Sequence, residues 1–141
     1  MIILDTDHLS VLRYPDTPRA VALTVRLDES PDRPFGTTII SVVEQFRGWS
    51  AEINRAKDVA QEVRAYDRLS HFIDLIRRMP VYPFDTAAAG VFVYLHQQKL
   101  RIGTMDLKIA AIALANGALL LTANRRDFTK VPGLRFENWL I

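Results

Sequence analysis

The chain contains no cysteine. Disulfides, thiolate zinc sites and cysteine nucleophiles are therefore excluded, and the reducing cytoplasm is the expected setting. Histidine is scarce: His8, His71 and His96 fall in separate stretches, without the His-x-x-x-His spacing of a metal pair. His71 lies inside a helical pattern and reads as structural. The glycine motifs that cradle nucleotides, Gly-x-Gly-x-x-Gly and Walker sequences, are missing, as is the Gly-x-Ser-x-Gly elbow of serine hydrolases. No basic stretch followed by a long apolar core marks a signal peptide. The most apolar run, Ile109 to Leu121, is too short to cross a membrane and contains Asn116-Gly117. Charge of one sign is scarce too: 18 basic against 16 acidic residues leave a net charge of +2. The pI near 9.1 reflects how flatly a nearly neutral chain titrates, so it does not by itself call for nucleic acid. The basic set is 14 Arg and 4 Lys. Arginine suits phosphate and carboxylate forks, although composition bias explains the excess equally well.

What the chain does have is apolar substance. With 141 residues, 49% of them hydrophobic, it is expected to form one domain, residues 1–141, with a real core. Ile2-Ile3-Leu4 is a continuous apolar run, as in a strand covered on both faces of a parallel sheet. Asp5-Thr6-Asp7 ends it and opens a short helix to about Arg13, where Asp7 is a plausible cap. Thr17-Pro18 opens a helix to about Asp28, and Ser30-Pro31-Asp32-Arg33-Pro34 breaks the chain. Phe35 to Ile40 reads as the second strand. Ser41 and Glu44 have capping-box spacing for a helix to about Lys57. An amphipathic helix follows over 58–79, so the pair forms a protruding helical hairpin. Pro80 to Phe84 reads as a third strand, Thr86 to about Lys99 as a helix, and Asp106 to Asn116-Gly117 as another. Ala118 to Thr122 is an apolar fourth strand, Asn124 to Phe128 a loop or single turn, and Leu134 to Phe136 an edge-like last strand. This alternation predicts an α/β fold: three α/β/α layers around a mainly parallel sheet of four to five strands.

On this map Asp5, Glu44, Asp106 and Asp127 all fall just after strands or at the starts of helices, and in a parallel sheet those positions share one edge. Clustered carboxylates raise one another's pKa or require a cation. With oxygen donors alone, that cation would be hard, Mg2+ or Mn2+, and a hard ion in an acidic cleft suits phosphodiester hydrolysis. Each acid also has a purely local explanation. Glu44 completes a capping box, Asp106 complements a helix dipole and Asp127 is an ordinary turn residue.

The residues that carry these features resemble the PIN-domain ribonucleases, and within them the VapC toxins of bacterial type II toxin–antitoxin modules. The matching pieces are Leu4-Asp5-Thr6-Asp7-His8-Leu9-Ser10, Ser41-Val42-Val43-Glu44 with Arg47-Gly48, and Ile102-Gly103-Thr104-Met105-Asp106-Leu107-Lys108-Ile109-Ala110-Ala111. They continue with Leu121-Thr122-Ala123-Asn124-Arg125-Arg126-Asp127-Phe128, Val131-Pro132-Gly133-Leu134 and Glu137-Asn138-Trp139. The resemblance implies a PIN-like domain, often a homodimer, with Mg2+- or Mn2+-dependent endoribonuclease activity on tRNA, ribosomal RNA or mRNA. It implies Asp5 and Asp106 as main metal ligands, with Glu44 holding the ion or its water. Asp127 would be the fourth acid and Asn124 a polar ligand or positioner. Thr6, Thr104 and Thr122 could support the carboxylates, their alternative being capping and turn chemistry. Arg47, Lys108, Arg125 and Arg126 are candidates for phosphate or antitoxin contacts, with a Glu44 pair the other reading of Arg47. The implied partner is a VapB-type antitoxin whose arginine could enter the acidic site. Two other readings stand beside this one: a haloacid-dehalogenase-like phosphatase using Asp5 and Asp7, and a catalytically silent PIN-fold binding module.

Overall fold

A computed structural model describes residues 1–141. Five strands, β1 (Ile2–Leu4), β2 (Phe35–Thr38), β3 (Val81–Tyr82), β4 (Leu119–Leu121) and β5 (Arg135–Glu137), alternate with seven helices. The helices are α1 (Thr6–Leu12), α2 (Pro18–Glu29), α3 (Ile39–Arg55), α4 (Val59–Ile76), α5 (Thr86–Gln97), α6 (Thr104–Ala115) and the single turn α7 (Arg125–Phe128). The strands form one sheet in the order β3-β2-β1-β4-β5, and every pairing is parallel.

The apolar runs explain the layering. Alternate residues of a strand point to opposite faces. Ile3 and Leu120 join Leu95, Ile109, Ile112 and Phe128 on the side of α5 and α6. Ile2, Leu4, Leu119 and Leu121 join Leu12, Leu23 and Leu27 on the side of α1 and α2. Both faces of β1 and β4 are thus dry, which is why neither strand alternates with polar residues. Ile2, Ile3 and Leu4 are each fully buried, worth roughly 2 kcal/mol apiece by area. The α3–α4 hairpin is seated at its base, where Leu9, Val42, Trp49 and Phe72 form a third cluster. Higher up, Val59, Val63 and Tyr66 are exposed. No helix is long and apolar enough to cross a membrane.

Several boundaries differ from the sequence reading, with identifiable causes. The second strand stops at Thr38, and Ile39 and Ile40 are helical. The Thr38 side chain accepts the Ser41 amide N–H, so Thr38 caps α3 and Ser41 lies buried inside the first turn. The expected Ser41–Glu44 capping box is therefore absent, and Glu44 sits in the second turn of α3, free of any capping duty. The third strand shrinks to Val81–Tyr82. It packs tightly on β2 because Gly36 leaves room for the Pro80 carbonyl, which accepts the Thr37 N–H. Asp5, not Asp7, caps α1. His71, read as structural, is exposed on α4 and paired there with Asp67 one turn away. Gly117, with φ of +61° just after α6, meets the left-handed requirement that the Asn-Gly stop announces.

Candidate active site

From β1 the chain passes outward to β2 and β3, then returns to the other side of β1 for β4 and β5. The carboxyl ends of β1 and β4 therefore flank the switch point of the sheet, where open α/β folds place their ligands. Asp5 follows β1 there and Thr122 follows β4.

The Asp5 carboxylate is fixed on both oxygens. Oδ1 accepts the Thr6 N–H at 2.7 Å, and Oδ2 accepts the Thr122 hydroxyl at 2.8 Å. Only 6% of the residue is exposed. Burial pushes its pKa up to about 7, against the lowering effect of those two hydrogen bonds and with help from the charges of Asp7 and Asp106. The Thr6 hydroxyl donates to Glu44 Oε2 at 3.1 Å, tying α1 to α3.

Asp106 stands in the first turn of α6, whose N-cap Gly103 contributes no side chain. Burial, then the charges of Glu44 and Asp127, raises the Asp106 pKa, and the Asn124 hydrogen bond opposes the rise. Asn124 caps α7 and spans two acids. Its Nδ2 donates to Asp106 Oδ2 at 3.3 Å and to Asp127 Oδ2 at 3.1 Å. Asp127 is held below the usual carboxylate range by that amide and by Lys130, at 3.5 Å. Threonine hydroxyls and one carboxamide thus link Asp5, Glu44, Asp106 and Asp127 around one sheet edge.

The other candidates are placed less uniformly. Thr104 is exposed at the start of α6 and makes no side-chain bond to the acids. Arg47 is exposed and forms no ion pair with Glu44. Lys108 lies over the rings of Phe84 and Phe92, at 5.6 and 5.7 Å. Arg125 and Arg126 are exposed on α7, and the Arg126 charge contributes to lowering the Asp127 pKa.

Asp7 behaves differently from its neighbours. Its Oδ1 accepts the His8 N–H at 2.7 Å and lies 2.5 Å from His8 Nδ1, while Oδ2 accepts the Ala123 N–H at 2.8 Å. The His8 bonds and the Ala123 bond bring its pKa down against the opposing effect of burial, the largest single influence on it. A phosphatase using Asp7 as general acid and base needs that carboxylate free to exchange a proton, so this geometry disfavours that alternative. Sequence reasoning misses His8 as a site residue. An isolated histidine beside an aspartate carries no spacing signal, and its other partner lies at the far end of the chain.

The donor chemistry of the acidic edge fits a hard cation: oxygen ligands only, with Asp5 and Asp106 held above their ordinary pKa by burial and by neighbouring carboxylates. No three carboxylate or imidazole side chains converge on a single point at ligating distance, and the Asn124 amide bridges Asp106 and Asp127.

No family model matches the chain. Stretches of it match curated proteins. It is 47% identical over 61 residues to Ribonuclease VapC2 of Rickettsia felis, covering 39% of this chain and 46% of that protein. It is 34% identical over 68 residues to the tRNA(fMet)-specific endonuclease VapC of Salmonella typhimurium, covering 45% of this chain and 52% of that protein. The chain thus spans about half the length of the curated relatives it matches. The fold agrees over far more. It superposes on the structure of DNA-bound VapBC from Salmonella typhimurium with a TM-score of 0.74 and 25% identity, covering 98% of this chain and 97% of that one. The acidic edge at the β1/β4 switch point thus belongs to a chain whose fold is like that of the Salmonella typhimurium VapBC structure over almost its whole length and whose sequence matches stretches of VapC proteins.

Proposed function

We propose that this chain is a metal-dependent endoribonuclease, the toxin of a toxin–antitoxin pair, hydrolysing RNA phosphodiester bonds. The observation that carries the reading is the buried Asp5 carboxylate at the switch point, its pKa near 7, facing Asp106 and linked through Thr6 to Glu44. So costly an arrangement of like charges is explained by a cation. Asp5, Asp106 and Glu44 would hold Mg2+ or Mn2+, with Asp127 as the fourth acid. When bound, the ion supplies a low-pKa water and neutralises charge developing on the phosphate. Thr6 and Thr122 keep two of the carboxylates oriented, and Asn124 positions Asp106 and Asp127. Arg47, Lys108, Arg125 and Arg126 would steer phosphates toward this edge.

The same acidic edge suits a VapB-type antitoxin. A guanidinium delivered by the partner would satisfy the carboxylates in place of a cation and so inhibit. A homodimer fits the exposed Val93 and Tyr94 of α5, and residues 1–141 would form one domain per subunit, working in the cytoplasm.

The test is cleavage of end-labelled total tRNA and ribosomal RNA, with and without Mg2+ or Mn2+, by the wild type and by Asp106→Asn. The expected result is discrete, metal-dependent cutting that the variant lacks. Cutting that persists in Asp106→Asn would defeat the assignment. Cutting by neither, together with no saturable Mn2+ binding by calorimetry, would favour a silent binding module.

A further inference from the structure

The Asp7 carboxylate accepts three N–H groups: the His8 backbone amide, the His8 ring at Nδ1, and the Ala123 amide. His8 is fully buried, and its other ring nitrogen, Nε2, accepts the Trp139 backbone N–H at 3.0 Å. A nitrogen that accepts cannot carry a proton. The imidazole is therefore the neutral Nδ1–H tautomer, and that proton points at Asp7. The result is a directed chain: Trp139 N–H to His8, His8 to Asp7, with Ala123 N–H arriving from the other side.

Ala123 sits between Thr122, which donates to Asp5, and Asn124, which bridges Asp106 and Asp127. The turn is exposed at Ala123, and Asp7 is the partner of that residue's amide. Helix capping does not explain Asp7, since Asp5 holds the cap and Oδ2 reaches a residue 116 positions away.

We propose that Asp7 and His8 are positioning residues. They hold the turn after β4 so that Thr122 and Asn124 meet the acids of the site, and they lock that turn to the chain segment around Trp139. The assignment rests on the nuclease reading for its catalytic consequence but not for its geometry. The clasp requires a carboxylate. Asparagine offers one accepting oxygen, so its NH2 must face either the Ala123 N–H or the imidazole Nδ1–H.

Asp7→Asn is expected to lower single-turnover cleavage on the order of tenfold to a hundredfold, the scale of small misplacements at a reacting centre. RNA affinity should stay within about threefold of wild type, as expected when positioning and not ground-state binding is lost. His8→Phe, which leaves the Asp7–Ala123 bond in place, should lose less. Nitrogen-15 spectra of the wild type should show His8 as the Nδ1–H tautomer, and Asp7→Asn should shift the amides of Thr122, Ala123 and Asn124. An Nε2–H tautomer, an unmoved Ala123 amide, or cleavage by Asp7→Asn within about twofold of wild type would each overturn the proposal. So would a fall in RNA affinity matching the fall in rate, because that reports general loss of structure. If the wild type cuts no RNA, the nuclease reading fails, while the spectra still decide the clasp.

Discussion

Replacing Asp5 with asparagine should stabilise this protein in the absence of divalent ions, and only above acidic pH. The carboxyl group titrates at 3.8 in the unfolded chain and about 7 in the folded one. Below pH 3.8 both states carry the proton, and the group makes no pH-dependent difference. As pH rises through the window from 3.8 to about 7, the unfolded state releases its proton while the folded state keeps it, so stability falls. Above about pH 7 the folded protein carries a buried charge, and the loss is complete. The difference of about three pH units corresponds to about 4 kcal/mol. The neutral carboxamide avoids this loss and keeps both bonds, since Thr122 can accept as readily as donate. Urea unfolding in EDTA should therefore show Asp5→Asn more stable than wild type by up to about 4 kcal/mol at pH 8, and nearly equal to it at pH 4. Added Mn2+ should close the gap by stabilising the wild type alone. A variant no more stable than wild type at pH 8, or a gap that does not narrow on acidification, would refute the reasoning.

Other outcomes follow from single contacts. Thr122→Val removes the hydroxyl that donates to Asp5, so the pKa of Asp5 should rise further; if cleavage needs the carboxylate, the acid limb of its pH–rate profile should move up by about one pH unit, the worth of one hydrogen bond to a charged group. Gly36→Ala places a methyl group against the Pro80 carbonyl, so hydrogen exchange at Thr37 should accelerate as β3 separates from β2. Phe72→Ala empties the seat of the α3–α4 hairpin, where Phe72 meets the edge of Phe46 at 5.6 Å, and should cost about 3–5 kcal/mol in urea unfolding.

The strand–acid–helix grammar of this chain is legible because β1 and β4 are dry on both faces. Such strands write themselves as unbroken apolar runs, and whatever polar residue ends them stands out. The convergence of Asp5, Glu44, Asp106 and Asp127 on one edge follows from that map, as does the hairpin from its two long helical periods. Ile39-Ile40 misleads because β-branched residues favour strands, while the deciding event is one side-chain bond to Thr38. Two cap-forming residues, Thr38 and Ser41, stand within a turn of each other, and local composition does not rank them. The Asp7–His8 arrangement is out of reach for a different reason. Its partners, Ala123 and Trp139, lie 116 and 131 positions along the chain, and no local periodicity encodes them.

The central place of β1 also has a kinetic meaning. Its neighbour on one side is β2, some thirty residues downstream (Ile2 pairs with Phe35), but on the other it is β4, where Ile2 pairs with Leu119. Closing so long a loop carries an entropic cost, and contacts of such separation slow the search for the native topology. During synthesis, β1 spends most of the chain's elongation with one edge unpaired. The Asp5 carboxylate waits through the same interval for Thr122, 117 residues away. The acidic edge is therefore incomplete until β4 joins the sheet, and a nascent chain that stops short of β4 has the acid of its first strand but no Thr122 hydroxyl to hold it.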